Sequence, residues 1–303
     1  MTEILNKIKA AISEDRILLN EPMKKHTTFK IGGNADIFVM PKSCEEIAEI
    51  IKICKELKVP YYVMGNGSNL LVKDGGFRGV IIQLFRAFGN ICVQNDRIVA
   101  QAGALMSSIG SLALKNNLTG FEFAAGIPGT VGGGVCMNAG AYGGELKDVV
   151  TRVKVLYNGK IVTLTNEECG FDYRTSNIQK NNMLVLEVEI QLQQGEYASI
   201  KEVMSDLAKK RSEKQPLEYP SAGSTFKRPQ GYFAGKLIDD AGLRGFSVGD
   251  AQVSQKHCGF VINKGNATAE QVIELMNRVS CKVKQQFGVE LEPEVRIIGA
   301  DRG

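Results

Sequence analysis

Apolar residues recur over the first part of the chain in patterns that predict alternating helices and strands. Helical spacing of isoleucine and leucine predicts an amphipathic helix over residues 4–13. A second helix is expected to begin at Ser43, where an S-x-x-E capping box is followed by an apolar stripe. Short apolar runs at 35–40 and 61–64 predict strands on either side of that helix. A strand-helix-strand unit of this kind indicates a small α/β lobe.

The pattern changes after residue 80, where short apolar runs alternate with turn residues. These runs predict strands over 80–84, 91–93, 97–101, 149–156, 160–164 and 183–192. The pair Asn158-Gly159 between two of them is typical of a β-hairpin. Helical spacing over 106–116 predicts a helix within the same stretch. The stretch therefore indicates a β-rich second lobe.

The last part of the chain contains two further capping boxes. One at Ser199 opens a predicted helix, and Pro216 with Pro220 marks a boundary after it. Another at Thr268 opens an amphipathic helix, and a strand is predicted near 295–298. This segment is expected to form a separate C-terminal domain.

Composition narrows the class of protein without identifying it. The chain has 303 residues, a formal net charge of +4 and an apolar content of 44%, which suits two or three domains with real cores. It carries no basic run long enough for nucleic acid, and no apolar segment as long as a signal peptide or membrane span. The seven cysteines form no C-x-x-C pair and the two histidines lie far from any paired cysteine, so reduced thiols and no metal site are expected. These features predict a cytoplasmic protein.

Two glycine-rich loops are the strongest chemical signal in the sequence. One spans Gly65–Leu71 and the other spans Ala125–Gly144. Small residues let a backbone approach a ligand closely, and successive N–H groups can then surround phosphate oxygens. Two such loops favour a dinucleotide whose diphosphate is held from two sides. A Rossmann fingerprint fails at Leu70, and neither loop ends in the Lys-Ser/Thr of a P-loop. The alternative is that both loops are only tight turns.

Three polar clusters lie outside these loops, around Arg174, Ser224 and Glu294. Each residue has a purely structural alternative, namely a surface ion pair, a turn or cap, and an exposed strand position. The sequence has no G-x-S-x-G elbow, and no motif joins His26 or His257 to a nucleophile, so both histidines are interpreted as structural or surface residues. An organic cofactor is therefore the expected source of reactivity.

Together these segments resemble one family, the UDP-N-acetylenolpyruvoylglucosamine reductases (UDP-N-acetylmuramate dehydrogenases) of bacterial cell-wall synthesis. The resemblance covers nearly the whole chain and is carried by residues 26–33, 65–71, 125–144, 173–176, 222–229 and 291–296. The chain is similar to the shorter form of the family, because Pro229 leads into Gly231–Ile238 without the insertion of longer members. Contacts made by the tyrosine-bearing loop of the longer form cannot be transferred to this chain.

The resemblance implies an α+β fold, in which a two-lobed FAD-binding domain of the PCMH or vanillyl-alcohol-oxidase type precedes a C-terminal α/β substrate-binding domain. The implied boundaries are a lead-in over 1–30, the FAD-binding domain over 31–194 with lobes at 31–79 and 80–194, a connecting helix over 195–216 and the C-terminal domain over 217–303. FAD is expected to bind non-covalently through both glycine loops. The implied contacts are Gly65, Asn66, Gly67, Ser68, Asn69, Leu70, Gly126, Pro128, Gly129, Thr130, Gly132, Gly133, Asn138, Gly140 and Ala141.

The implied reaction is the NADPH-driven reduction of UDP-N-acetylglucosamine enolpyruvate to UDP-N-acetylmuramate. NADPH reduces the flavin, NADP leaves, and flavin N5 then delivers hydride to the terminal carbon of the enolpyruvyl group. By resemblance, Ser224 donates the completing proton, Arg174 offsets the growing charge on the carboxylate, and Glu294 completes its stabilisation.

Further expectations concern the UDP group and the partners of the protein. The cations expected to contact UDP are Lys214, Lys227 and Arg228, which flank Ser224 in sequence. A monomer that acts on small molecules, without nucleic acid or membrane partners, is expected. Two alternatives remain open: another flavin oxidoreductase of the same fold, such as an alcohol oxidase, and a catalytically silent flavin- or nucleotide-binding module. Neither alternative would require the three implied catalytic residues in these contexts.

Overall fold

A computed structural model describes residues 2–302 of the chain. Its helices are α1 (Thr2–Ala11), α2 (Cys44–Glu56), α3 (Met106–Lys115), α4 (Glu122–Ala125), α5 (Val131–Cys136), α6 (Asn166–Cys169), α7 (Asn177–Lys180), α8 (Tyr197–Lys214), α9 (Ala234–Asp240) and α10 (Ala269–Phe287). Its strands are β1 (Ile17–Pro22), β2 (Asn34–Val39), β3 (Tyr61–Met64), β4 (Leu70–Val72), β5 (Phe77–Gln83), β6 (Ile91–Gln94), β7 (Arg97–Gln101), β8 (Leu118–Thr119), β9 (Gly140–Ala141), β10 (Gly144–Glu145), β11 (Val150–Tyr157), β12 (Lys160–Thr165), β13 (Leu184–Gln191), β14 (Gln193–Gln194), β15 (Ser247–Val248), β16 (Ala251–Val253), β17 (Val261–Asn263) and β18 (Arg296–Ile298).

The chain forms two compact units, and each unit is assembled from segments that are distant in sequence. The first unit contains Met1–Leu18, Phe38–Asn66 and Val80–Arg211, and the second contains Leu19–Ile37, Gly67–Gly79 and Ser212–Gly303. The continuous boundaries expected at 31–194 and 217–303 differ from these units. One reason is that β4 pairs in parallel with β18, which makes the segment around β4 part of the second unit.

The first unit contains the predicted β-rich region as a five-stranded antiparallel sheet. Its strand order is β12-β11-β13-β7-β6, which confirms the strands predicted at 91–93, 97–101, 149–156, 160–164 and 183–192. The strand predicted at 80–84 was expected in the same region, but it forms β5, which pairs with β3 in another sheet. Asn158 and Gly159 connect β11 to β12 with φ angles of 50° and 77°, so the predicted hairpin turn is also confirmed. Side chains on one face of the sheet are buried, including Val153 and Val188.

The predicted α/β elements are present as well. The Ser43 side chain accepts a hydrogen bond from the Glu46 amide and caps α2, and the apolar stripe of α2 is buried, including Ile47 and Ile50. Strand β3 pairs in parallel with β5, within a sheet of order β1-β2-β5-β3. The chain therefore leaves β3 directly into the first glycine loop, as the sequence predicted.

The second unit is built around α10 and the three-stranded sheet β15-β16-β17. Its core contains apolar side chains from all three of its segments, such as Phe29, Leu71 and Val279. Helix α10 begins at Thr268 with the predicted capping box and ends at Gly288 in a left-handed conformation, with φ at 71°. Most of this core comes from residues 212–303, and the two earlier segments complete it.

A second cap on α10 comes from a distant segment. The Asp74 carboxylate accepts hydrogen bonds of 3.0 Å from the amides of Ala269 and Glu270. These amides belong to the first turn of the helix and have no acceptor within it. A negative charge at this position also opposes the positive end of the helix dipole. Through these hydrogen bonds, Asp74 holds the segment after β4 against the first turn of α10.

We expect Asp74→Ala to lower the free energy of unfolding by about 1–2 kcal/mol, because two helix amides lose their acceptor. Urea denaturation followed by circular dichroism measures the change. Asp301→Ala is the matched control, because Asp301 is an exposed carboxylate paired with Lys73 at 2.9 Å, and its loss is expected to change stability by less than about 0.5 kcal/mol. Equal effects of the two substitutions would contradict the capping role.

Candidate functional site

The start of the first glycine loop, at Gly65, approaches the second glycine loop within the first unit. A Cβ atom added to Gly65 would lie only 2.3 Å from Oγ1 of Thr130, so a larger residue at Gly65 would displace the second loop. Thr130 itself is buried. The contact places the end of β3 beside the start of α5, as expected for two loops that act on one ligand.

Part of the second loop is fixed by the protein itself. The amides of Val131 and Gly132 donate to the carbonyls of Ala104 and Ala102 at 2.8 and 2.9 Å. A Cβ on Gly132 would lie 2.7 Å from the Cβ of Ala102. Gly132 is therefore required for packing, and these two amides are engaged within the protein.

Two other glycines of this loop are not required by packing. Gly126 and Gly133 are exposed, and a Cβ on Gly133 would meet only Oγ1 of Thr130, at 3.7 Å. A Cβ on Gly126 would make ordinary contacts, the nearest at 3.5 Å from Arg211. The space beside these glycines is what a backbone needs to approach a ligand closely. This part of the loop fits a bound dinucleotide such as FAD.

Asn138 organises the rest of the glycine-rich segment from inside. Its side chain is fully buried, donates to a carboxylate oxygen of Glu145 at 3.0 Å and to the carbonyl of Asp172 at 3.2 Å, and accepts from the amide of Lys147 at 3.0 Å. The sequence counted this amide among the groups offered to a cofactor. In the structure, the Asn138 side chain instead holds the glycine-rich segment together. No sequence motif indicates this role.

Arg174 lies in a tight turn that is tied to the same segment. Asp172 and Thr175 exchange backbone hydrogen bonds of 3.1 and 3.2 Å around it, and Arg174 adopts the left-handed region with φ at 54°. Its guanidinium donates to the carbonyl of Gly140 at 3.2 Å. This backbone conformation costs a residue other than glycine about 1–2 kcal/mol. The surrounding bonds therefore hold Arg174 in a conformation it would not adopt alone.

Ser224 and Glu294 are brought together in the second unit. The amide of Glu294 donates to the carbonyl of Thr225, the residue after Ser224, at 2.8 Å. Thr225 is buried and is held further by the amide of Val261, which donates to Oγ1 of Thr225 at 2.9 Å. Ser224 is exposed. The hydrogen bond between Glu294 and Thr225 therefore fixes the backbone next to the exposed Ser224.

Asn69 of the first glycine loop also positions Glu294. Its side-chain amide donates to the carbonyl of Glu294 at 3.1 Å, and its own carbonyl accepts from the amide of Arg296 at 3.0 Å. The sequence predicted a contact of Asn69 with the cofactor only. Its contact with Glu294 had no sequence signal, because the two residues are 225 positions apart.

The cations expected to contact UDP all lie in the second unit. Lys227 forms an ion pair with Glu292, and the Arg228 guanidinium lies 3.9 Å from the ring centroid of Phe233. Lys214 is exposed at the end of α8. Of these three cations, Lys227 therefore already has a carboxylate partner.

The histidines and cysteines have structural environments. His26 pairs with Glu21 at 3.0 Å, and burial lowers the pKa of His257, whose Nδ1 accepts from the Gly259 amide. All seven cysteines are free, and Cys54, Cys169 and Cys258 are buried, whereas Cys92 and Cys281 are exposed. Burial raises the pKa of the thiols of Cys54, Cys169 and Cys258 to about 11, so these three remain protonated at neutral pH.

Across residues 2–302, no helix is both long and apolar enough to cross a membrane. In the same range, no group of three or more histidine, cysteine, aspartate or glutamate residues is arranged to hold a metal ion.

Comparisons with known proteins agree with this architecture. A family model described as "FAD binding domain" matches residues 35–165, and one described as "UDP-N-acetylenolpyruvoylglucosamine reductase, C-terminal domain" matches residues 215–298. The chain is 52% identical over 301 residues to the UDP-N-acetylenolpyruvoylglucosamine reductase of Caldanaerobacter subterraneus subsp. tengcongensis, covering 99% of both chains. It is 51% identical to that of Clostridioides difficile, covering 96% of both.

Solved structures give the same result. The crystal structure of the UDP-N-acetylenolpyruvylglucosamine reductase from Thermus caldophilus superposes with a TM-score of 0.79 at 35% identity, over 93% of this chain and 97% of that one. An alkyldihydroxyacetonephosphate synthase superposes with a TM-score of 0.50 at 15% identity, over 64% of this chain and 41% of that one. The second likeness concerns the fold alone.

The fold and the glycine loops define an FAD-dependent oxidoreductase of α+β architecture, with an FAD-binding domain and a C-terminal domain. More particularly, the chain belongs to the UDP-N-acetylenolpyruvoylglucosamine reductase family. Membership confirms the resemblance seen in the sequence, the fold class, the enzyme class and FAD as the cofactor.

Gly132 and Gly133 are neighbours in the second loop, but only Gly132 is required for packing. Substituting each in turn therefore tests FAD binding separately from stability. We expect Gly133→Ala to leave the apoprotein as stable as before or up to about 1 kcal/mol more stable, because alanine favours a helix, and to weaken FAD binding at least tenfold by filling the open space. Gly132→Ala is the control, and is expected to lower stability by about 1–3 kcal/mol through overpacking against Ala102. Thermal unfolding of the apoprotein and flavin fluorescence titration measure both effects. Unchanged FAD affinity in Gly133→Ala would refute the assignment of this surface to the cofactor.

Proposed function

We propose that this protein reduces UDP-N-acetylglucosamine enolpyruvate to UDP-N-acetylmuramate, with NADPH as electron donor, in cytoplasmic peptidoglycan precursor synthesis. The observation that carries the proposal is the hydrogen bond of 2.8 Å that joins the Ser224 segment to Glu294. It holds together two of the three residues whose sequence contexts resemble the catalytic positions of the family. The names of the relatives supply the substrate class.

Bound FAD would supply hydride from its N5 atom to the terminal carbon of the enolpyruvyl group, after reduction by NADPH. The residues proposed to hold it are those of the two glycine loops. Support comes from the contact between Gly65 and Thr130 and from the open space at Gly126 and Gly133. The Asn138 side chain is left out of this set, because three protein groups already occupy it.

Ser224 is proposed as the general acid. After hydride addition, negative charge spreads from the neighbouring carbon of the substrate into its carboxylate. A serine hydroxyl is a weak acid, but this carbon is strongly basic, so a hydroxyl held in place can protonate it. The exposed position of Ser224 on a backbone fixed through Thr225 supports this role.

Arg174 is proposed to bind the carboxylate whose charge grows during the reaction. A guanidinium offers two parallel donors to a carboxylate, and a group that is already oriented stabilises charge without reorganisation. The strained backbone of Arg174 and its bond to Gly140 support such preorganisation.

Glu294 is proposed to complete the stabilisation as a hydrogen-bond donor in its neutral form, since an ionised carboxyl would repel the substrate anion. Its amide and carbonyl are held by Thr225 and Asn69 respectively, which limits the positions its side chain can reach. Lys214, Lys227 and Arg228 are proposed to meet the UDP diphosphate, and their location in the same unit as Ser224 supports this.

We expect Ser224→Ala to leave flavin reduction by NADPH nearly intact and to slow flavin reoxidation by substrate by at least about a hundredfold, which is the range of a lost general acid. Anaerobic stopped-flow absorbance measures the two half-reactions separately. Ser221→Ala, in the same segment, is the control and should retain both rates. Wild-type reoxidation in Ser224→Ala would show that the proton comes from another group.

Arg174→Lys should retain the fold and the charge but lose most of the turnover, because an ammonium group cannot make the two-donor contact with a carboxylate. Steady-state assays with the enolpyruvyl substrate measure kcat and KM. The exposed Arg152 of β11 offers a matched control, since Arg152→Lys should not alter either constant. Full activity of Arg174→Lys would contradict carboxylate binding by Arg174.

A further inference from the structure

Arg211, near the C-terminal end of α8, carries a charge that the protein leaves unmatched. The side chain is only partly exposed. Within residues 2–302, its guanidinium has no hydrogen-bond acceptor and no carboxylate partner, and the ionisable group that acts on it is the Tyr142 phenol. The carbonyl end of a helix attracts a nearby cation, but the last turn of α8 provides no hydrogen bond to this guanidinium.

Arg16 is another poorly exposed arginine, but its role is structural and its charge has a carboxylate partner. Arg16 donates to both carboxylate oxygens of Glu46, at 2.6 and 2.8 Å, and this contact raises the pKa of Arg16. Burial lowers the pKa of Arg211 instead. Withdrawing a cation from water without a partner is unfavourable. Partial burial without a carboxylate partner therefore leaves the Arg211 charge available to an anion.

The position of Arg211 identifies where such an anion would lie. Its Nη1 and Cδ atoms would be 3.5 and 3.7 Å from a Cβ atom on Gly126. Gly126 is the first glycine of the second glycine loop, and packing does not require it. Tyr142, the other neighbour of Arg211, belongs to the same glycine-rich segment and is exposed. The unmatched charge thus adjoins the open part of the loop assigned to the cofactor.

We propose that Arg211 is a cationic anchor of the flavin cofactor, donating hydrogen bonds to an anionic group of FAD. This inference rests on the assignment of the second glycine loop to FAD in the proposed function. Two parts of the cofactor carry the required charge, namely the diphosphate and the ring once it is reduced. A guanidinium suits both, because its fork can bind two acceptors at once.

The test compares Arg211→Gln and Arg211→Lys with Lys210→Gln. Lys210 precedes Arg211 on α8, is exposed and pairs with Asp206 at 2.7 Å, so its loss reports the effect of one surface charge alone. Each purified apoprotein is titrated with oxidised FAD at several salt concentrations, and the midpoint potential of each flavin-loaded protein is measured. Thermal unfolding of the apoproteins is recorded in parallel.

A diphosphate contact predicts that Arg211→Gln binds oxidised FAD at least tenfold more weakly, with a smaller salt dependence, and that Arg211→Lys recovers part of the loss. A contact with the reduced ring predicts unchanged binding of oxidised FAD but tenfold weaker binding of reduced FAD, which lowers the midpoint potential by about 30 mV for a two-electron couple. In both cases the Arg211→Gln apoprotein should be at least as stable as wild type, because an unmatched charge is removed. Lys210→Gln should change none of these quantities.

Wild-type FAD affinity and midpoint potential in Arg211→Gln would overturn the inference while leaving the proposed function intact. A marked loss of apoprotein stability in that variant, with no change in either cofactor measurement, would assign Arg211 a structural role. Failure of the wild-type protein to bind FAD would overturn both the inference and the proposed function.

Discussion

Close packing around two glycines of the first unit is the constraint on which the glycine-loop part of the candidate site depends. Gly65 touches Thr130 at a distance that no other residue would allow, and Gly132 packs against Ala102 in the same way. The first contact holds the start of the first loop beside the second loop, and the second contact holds the second loop against the segment that follows β7. Because they use some glycines for packing, close approach to a ligand falls to glycines that packing leaves open, such as Gly126 and Gly133.

Each unit holds its candidate catalytic residues through groups that are not themselves proposed to be catalytic. In the first unit, Asn138 and Ser176 join the turn of Arg174 to the glycine-rich segment. In the second, Thr225 and Asn69 hold the backbone of Glu294. When the backbone is fixed in this way, a side chain loses little further conformational entropy on adopting its reactive orientation. Groups that are already oriented stabilise a developing charge more effectively.

Local chemistry explains the elements that were predicted correctly. The capping box at Thr268, the N-cap at Ser43, the Asn158-Gly159 turn and the alternating apolar strands each act over a few residues, so the sequence shows them directly. The short strands β4 and β18 are different, since each is three residues long and neither carries a signal that names the other as partner. Their parallel pairing assigns residues 67–79 to the second unit, against the continuous boundaries expected.

The sequence by itself determined the glycine loops, the main helices and strands, and the family to which the chain belongs, because these depend on residue type and local spacing. Tertiary structure alone decided which loop groups are engaged within the protein. It buried the Asn138 amide, gave Asn69 a second role at Glu294, and left Arg211 without a counter-charge beside Gly126. Residues that are far apart in the chain form hydrogen bonds and ion pairs only when the fold brings them together. No local sequence pattern shows whether such a residue will have a partner.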